Sequence, residues 1–245
     1  MAWFQRPLKL LRLRLGRNGL IMEQGYFITG TDTNVGKTWA TVALMRYFKG
    51  RGKSVIGLKP VASGCSLKDG KLMNADALLL QENATVKLDY SSINPYAFEL
   101  PVSPHTAGKD NPVELDAVVA LFDSIKEQAQ VILVEGAGGW YSPLNETQDN
   151  SDLARALTLP VLMVVAIKLG CINHAKLTYQ AIKSDGITCA GWIAVRADPH
   201  AACPEEIVST IKKILDVPLL GVLPYLNVPD FDILARELLL ETSNY

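Results

Sequence analysis

Hydroxylated and small residues crowd one short stretch, Gly30-Thr-Asp-Thr-Asn-Val-Gly-Lys-Thr38, which follows the apolar run Tyr26–Thr29. A glycine-containing turn between a strand and a helix aims backbone N–H groups at one point, and such a cradle binds phosphate. In this setting Lys37 is placed to reach the β- and γ-phosphates of a nucleoside triphosphate, and the Thr38 hydroxyl to ligate Mg²⁺. The usual pattern has a glycine where Thr31 stands; the available one is Gly30, one residue earlier.

Other stretches carry groups suited to the same chemistry. Val131-Ile-Leu-Val-Glu135 is a buried strand ending in a carboxylate, which beside a phosphate loop can hold Mg²⁺ directly or through water. The following Gly136-Ala-Gly-Gly139 lets backbone approach a ligand. Lys59 closes another apolar run and points toward the same cleft as Lys37, which makes it the residue for chemistry beyond nucleotide binding. Asp76, in Asn74-Ala-Asp-Ala-Leu78, is either an ordinary acid at a helix start or a further Mg²⁺ ligand, and spacing leaves both open. His105 and His174 have no carboxylate or nucleophile at a suggestive spacing and stay outside the site; Trp140 and Tyr141 read as packing residues.

To bring these groups together the chain must alternate strands and helices. Expected strands are Tyr26–Thr29, Ser54–Leu58, Val131–Glu135, Val161–Ile167, Ala190–Val195 and Leu219–Val222. Expected helices are Lys37–Gly50, Ala75–Glu82, Val113–Gln128, Ser151–Leu157, Ile172–Ser184, Pro204–Leu215 and Asp230–Leu240. Pro112 and Pro204 suit helix starts, and Pro160 and Pro218 mark entries into strands. The order implies one α/β domain from residue 25 to 245, a largely parallel sheet with helices on both faces. Ligands of such sheets collect at the carboxyl ends of strands, where Gly30–Thr38, Lys59–Gly64, Glu135–Gly139 and Lys168–Asn173 all fall.

Composition agrees. The 245 residues are 49% hydrophobic and 20% charged with a net charge of −1, so a disordered chain and a strongly basic nucleic-acid binder are both excluded. The four cysteines lie far apart with no metal-ligand spacing and read as reduced thiols of a cytoplasmic protein. No apolar run reaches the ~18 residues of a membrane span. Residues 1–24 differ: Arg6, Lys9, Arg12, Arg14 and Arg17 sit among leucines with no acid before Glu23, like a transit peptide, and Met22 reads as the natural start of the functional chain.

Four stretches together closely resemble the dethiobiotin synthetase family: Gly30–Thr38, Lys59–Gly64, Val134-Glu-Gly-Ala-Gly-Gly-Trp140 and Lys168-Leu-Gly-Cys-Ile-Asn-His174. The similarity runs from about Gly25 to Leu226. It implies a phosphate-loop NTPase-like fold and an ATP- and Mg²⁺-dependent ligase that joins CO₂ to 7,8-diaminononanoate, phosphorylates the carbamate and closes a ureido ring. By resemblance Thr38, Asp76 and Glu135 bind Mg²⁺, Lys37 holds the phosphates and Lys59 stabilises the carbamate. The nucleotide contacts it implies are Asn34, Val35, Gly36, Lys37, Thr38, Trp39, Asp76, Glu135, Gly136, Ala137 and Gly138, with Val195, Arg196, Pro224, Tyr225 and Leu226 on the base side. Ser63 would meet the reacting amines, and the turn of Gly170, Cys171, Ile172 and Asn173 would receive the substrate carboxylate across a homodimer interface.

The chain departs from the family at two places. Val195 stands where many members carry an asparagine that reads the adenine edge, leaving adenine to backbone groups; Asn34 stands where glutamate is frequent. Two other classes share the loop. Amide-forming synthetases for cobalamin precursors carry a glutaminase domain for which 245 residues leave little room, and partitioning ATPase switches carry a lysine where this chain has Asp32.

Overall fold

The computed structural model describes residues 24–240, so the basic extension, apart from its last residue, and the final five residues lie outside it. In chain order the elements are β1 (Gln24–Gly30), α1 (Lys37–Lys49), β2 (Val55–Leu58), β3 (Val61–Ala62), β4 (Ser66–Lys68), β5 (Lys71–Met73), α2 (Ala75–Asn83), α3 (Tyr90–Ile93), β6 (Tyr96–Ala97) and α4 (Pro104–Ala107). There follow α5 (Leu115–Ile125), β7 (Val131–Gly139), α6 (Asn150–Ala156), β8 (Val161–Ala166), α7 (Cys171–Ser184), β9 (Cys189–Val195), α8 (Pro204–Ile214), β10 (Leu219–Leu223) and α9 (Phe231–Arg236).

The central sheet has six strands in the order β10-β9-β8-β1-β7-β2, and each neighbouring pair is parallel. Successive side chains of a strand face opposite sides, so a strand apolar throughout must be covered twice. That is the arrangement here. Phe27, Ile132, Val134, Met163 and Val165 pack with α5, α6, α7 and α8 through Val118, Leu153, Ala175 and Ile211. Tyr26, Ile28, Leu133, Leu162 and Val164 pack on the other side with Val42 and Leu44 of α1 and Leu234 of α9. The fold is the α/β sheet with helices on both faces that the sequence implied.

The long elements match expectation to within a residue or two, apart from three. The helix expected over Val113–Gln128 covers only Leu115–Ile125; Glu114 is its N-cap, with its N–H bonded to the Tyr96 hydroxyl at 3.1 Å, and Pro112 lies before the helix and not at its first turn. The last helix stops at Arg236, since Leu239 N–H turns back to bond the Leu220 carbonyl at 2.7 Å, adding an edge contact to β10. The third strand does not end at Glu135: its glycines stay in the sheet to Gly139, which pairs with Gly30 across a register shift after Ile28. Between β2 and α5 the sequence suggested one helix, whereas the chain builds a second small sheet (β3 with β6), a hairpin (β4 with β5) and two single-turn helices.

Candidate functional site

The carboxyl ends of β1, β7 and β2 lie side by side, and the functional groups of the sequence converge there. Gly30 must lack a side chain, because a Cβ would stand 2.6 Å from the Val35 side chain and 2.8 Å from the Asp32 carbonyl. The offset glycine thus allows the chain to fold back tightly over itself. The loop then passes through Asn34 at φ 57° and Gly36 at φ 91°, left-handed conformations that asparagine and glycine tolerate best. Asn34 is thereby suited to its backbone in a way the glutamate frequent in the family is not. Val35 is buried beneath the loop, and α1 starts with Lys37 and Thr38 at its N-terminus, where partial positive charge favours an anion.

Below the loop, two side chains meet at one carboxylate. Glu135, 1% exposed, accepts from the Thr38 hydroxyl at 2.9 Å and from Lys59 Nζ at 2.5 Å through the same oxygen, Oε1. Its other oxygen, Oε2, is buried and makes no hydrogen bond among the described residues. Lys59 is itself 6% exposed, and Asp76 Oδ2 lies 3.5 Å from its Nζ. Burial alone would lower the Lys59 pKa, but the carboxylates of Glu135 and Asp76 outweigh it and hold the ammonium above its ordinary value. Lys59 is accordingly not a solvated edge lysine. Lys37 behaves oppositely: burial, then the charge of Lys59, push it down to about 8 against the partial compensation of Glu135, Asp76 and Asp32, and its Nζ donates to the Asp32 carbonyl at 3.0 Å.

A cleft of about 680 Å³ opens over this cluster. Asn34, Gly36, Lys37, Thr38 and Trp39 line one wall, Glu135, Ala137 and Gly138 the floor, and Lys59, Ser63 and Asp76 the opposite wall. Sequence reasoning missed further lining residues: Thr33, Asn74, Ser142 and the rim Pro101–Pro104. Asn74 had a signal, an asparagine just before a helical run, and it does cap α2 by accepting from Asp76 and Ala77 N–H. The rim had none.

Other expected residues lie outside the cleft. Gly136 is buried in the strand. Val195 is buried with its side chain against Gly36, where an added Cβ would come within 2.8 Å of it, so it underpins the loop from behind. Arg196 is ion-paired with Glu205, and Pro224, Tyr225 and Leu226 follow the end of β10, whose Leu223 carbonyl accepts from Arg196 N–H at 2.9 Å. Gly170–Asn173 form the N-terminus of α7 and do not line the cleft. Cys171 faces the core with its N–H bonded to the Lys168 carbonyl, Ile172 packs half-buried against the core, and Asn173 is the outward residue of that turn. Trp140 packs against Phe27 and donates to Asp185 at 2.7 Å, as a packing residue would; Tyr141, expected to pack as well, is 54% exposed because it stands just past the end of the strand.

Beside the Lys59 ammonium, the groups gathered here are the Thr38 hydroxyl and the carboxylates of Glu135 and Asp76, all hard oxygen, with one Glu135 oxygen orphaned. Such a set fits Mg²⁺, which takes one or two protein carboxylates and completes its shell with water and phosphate.

An AAA-domain family model matches residues 24–230. The ATP-dependent dethiobiotin synthetase of Pseudescherichia vulneris is 45% identical over 86% of this chain and 90% of its own length. That of Escherichia coli K12 is 45% identical over 84% and 92%, and that of Vibrio vulnificus 46% identical over 84% and 91%. The chain belongs to the ATP-dependent dethiobiotin synthetase family. As a dethiobiotin synthetase family member it is an enzyme of the ligase class. Solved structures carry the fold further afield: the MinC:MinD cell division complex of Aquifex aeolicus matches with a TM-score of 0.53 at 18% identity, over 87% of this chain and 86% of that one. The signal recognition particle receptor FtsY of Elizabethkingia anophelis matches at 0.51 and 17%, over 86% of this chain but only 61% of the receptor's. At such identities these are neighbours in fold alone, phosphate-loop NTPases to which the dethiobiotin synthetase sheet is related.

Proposed function

We propose that this enzyme carboxylates 7,8-diaminononanoate with CO₂ and closes the ring to dethiobiotin at the expense of ATP. One observation carries the reading: the phosphate loop and the lysine of the opposite wall share a single buried oxygen, Glu135 Oε1, through Thr38 and Lys59. A second buried lysine opposite the phosphate loop suits transfer of phosphate to a second substrate, because it faces the charge of the transferring oxygens from the acceptor's side.

In the first step one amine of the diamine attacks CO₂ and loses a proton, giving a carbamate. Lys59 holds its anionic oxygens, and Ser63, whose hydroxyl is buried without a hydrogen-bond partner among the described residues, is the polar group beside the reacting amines. A carbamate oxygen then attacks the γ-phosphorus, ADP departs and a carbamic–phosphoric anhydride forms, with Lys37 and Lys59 facing the charge of the transferring oxygens from two sides. The second amine attacks the carbonyl carbon, phosphate leaves, and the ureido ring closes. Thr38, Asp76 and Glu135 are the residues that would hold Mg²⁺, which when bound neutralises β- and γ-phosphate charge.

Nucleotide contact by Asn34–Trp39 and Glu135–Gly138 follows from their position on the cleft and beneath it. Val195, Arg196, Pro224, Tyr225 and Leu226 border the base side. The enzyme acts as a homodimer in which the Gly170–Asn173 helix start serves the partner's substrate; in support, that turn does not line its own cleft, and the adjoining Leu169 and Leu177 stand exposed. Among the described residues no helix is long and apolar enough to cross a membrane, and the near-zero charge gives no footprint for nucleic acid, both consistent with a cytoplasmic enzyme of small molecules.

The test is ATP consumption with and without 7,8-diaminononanoate and bicarbonate. Strict dependence on both is expected, with dethiobiotin formed in equal amount to ADP. Steady ATP turnover in the absence of the diamine would overturn the assignment.

A further inference from the structure

The cleft walls are held by different means. Glu135 sits on β7, an interior strand between β1 and β2, and is paired with Ile28 of β1. Lys59 follows β2, a four-residue strand at the sheet edge, and Asp76 lies in the first turn of α2, an element outside the sheet. Ladder hydrogen bonds alone fix neither of these two residues relative to the other.

A chain of hydrogen bonds outside the cleft supplies what the sheet does not. Asn94, 3% exposed, donates from Nδ2 to the Lys59 carbonyl at 2.8 Å and to the Tyr96 carbonyl at 3.2 Å. Both partners are pure acceptors, so its Oδ1 is left to accept, and it does so from the Tyr90 hydroxyl at 2.8 Å. That hydroxyl accepts in turn from the Asn74 N–H at 2.7 Å. Asn74 then caps α2, accepting from Asp76 N–H at 3.0 Å, and its Nδ2 reaches the Ser63 carbonyl at 3.5 Å. Lys59, Ser63 and Asp76 are therefore all tied to one phenol.

We propose that Tyr90, acting through Asn94 and Asn74, is a positioning residue that sets the distance between the substrate-side lysine and the metal-side acid. It does not line the cleft and touches no substrate; its hydroxyl is the only member of the chain that both donates toward Lys59 and accepts from the segment leading to Asp76. Which reaction it serves rests on the function proposed above; the coupling of the two walls does not.

Tyr90→Phe keeps the ring and its packing and removes only the hydroxyl. Outer-shell substitutions of this kind cost about 10–100-fold in activity or metal affinity. For Tyr90→Phe we expect kcat to fall by about tenfold and the gain in ADP affinity that Mg²⁺ confers to shrink by a similar factor, while ADP affinity without Mg²⁺ stays near wild type. Asn94→Ala should reproduce the pattern and replaces Tyr90→Phe should that variant prove insoluble. Wild-type kcat with a wild-type Mg²⁺ response overturns the proposal. So does a loss of ADP affinity that is equal with and without Mg²⁺ and follows the thermal midpoint, since that marks a merely structural role. If the wild-type protein makes no dethiobiotin, the reaction assignment fails, and the Mg²⁺-dependent ADP affinity of the two variants still decides this one.

Discussion

The floor of the cleft and its rims are built on different principles. At the floor, with which the buried bases of the two walls form one cluster, Lys37, Thr38, Lys59 and Glu135 are all buried, and Lys59 is paired with Glu135 before any ligand arrives. At the rims and beyond them, Asn34, Asn173 and Tyr225 are exposed, and Arg196 is engaged with Glu205. Groups that stabilise developing charge gain from being fixed in a dry site, because no reorganisation is then needed at the moment of reaction. Groups that only select a ligand do not need this, and can wait on a base, a substrate tail or a second protomer to complete them.

If the floor carries the chemistry, its substitutions should be catastrophic for turnover and costly to the empty protein. Lys59→Gln removes the partner of Glu135 and leaves a carboxylate buried without its counter-charge, a loss on the order of 3–5 kcal/mol for a broken buried pair. Product formation should fall about a thousandfold, the scale of losing a preorganised charge-stabilising donor, while ATP affinity changes little. Thermal melts should show Mg²⁺ restoring more stability to the variant than to wild type, because the cation takes the vacated place between the carboxylates. Loss of ATP binding with normal turnover at saturation would dissolve the distinction between floor and rim.

The next largest effect concerns the backbone. Gly30→Ala forces a Cβ into the Val35 side chain and the Asp32 carbonyl, and overpacking of this kind costs about 1–3 kcal/mol. Since the loop is the ATP cradle, the strain should appear as roughly 5- to 150-fold weaker ATP binding, with the diamine affinity spared, as titration of each ligand would reveal.

This asymmetry also explains what the sequence made legible. Floor residues are constrained in type as well as place: a glycine under a tight loop, a lysine and threonine at a helix start, an acid at a strand tip. The strands were legible because their apolar runs must be covered on both faces. The segment from Pro60 to Asn111 was not. Apart from α2, its strands are two or three residues long and its helices one turn, too short to show a period, and the β3–β6 pair exists because Tyr96 N–H and Phe98 N–H find the carbonyls of Pro60 and Ala62. The Tyr90–Asn94 link to Lys59 joins residues up to 35 positions apart, and no local pattern announces it. At Val195 the packing of the side chain against Gly36, 159 positions away in the chain, is likewise announced by no local pattern.

A pH series separates the two lysines of the floor. In the free protein Lys37 titrates near 8, below its ordinary value, chiefly through burial, and a bound triphosphate favours its charged form. ATP affinity should thus be flat below about 8 and fall by at most about tenfold per pH unit above it, with proton uptake on binding. Stability of the ligand-free protein runs the other way for this group. The unfolded chain holds the proton up to its ordinary pKa of 10.5, so stability from Lys37 rises as pH climbs from about 8 to 10.5. Calorimetric titrations in buffers of different ionisation enthalpy measure the uptake; none at pH 8.5 would mean that Lys37 does not meet the phosphates.

The smallest effect belongs to the rim. With valine at position 195 no side-chain amide is available there to read adenine, so ATP should exceed GTP and CTP in turnover by less than a hundredfold. Val195→Asn would offer one neutral hydrogen bond, worth about 0.5–1.5 kcal/mol net, or roughly two- to tenfold in favour of ATP. The gain carries a cost, because Val195 is buried against Gly36 and an amide that fails to reach the base must point into apolar surroundings. Two outcomes are therefore informative. A rise in ATP preference with unchanged affinity for ADP's phosphates makes this residue a true rim position. Weakened binding of all nucleotides alike makes it part of the floor, a packing residue that supports the loop from beneath, and moves the boundary between the two regions to Arg196.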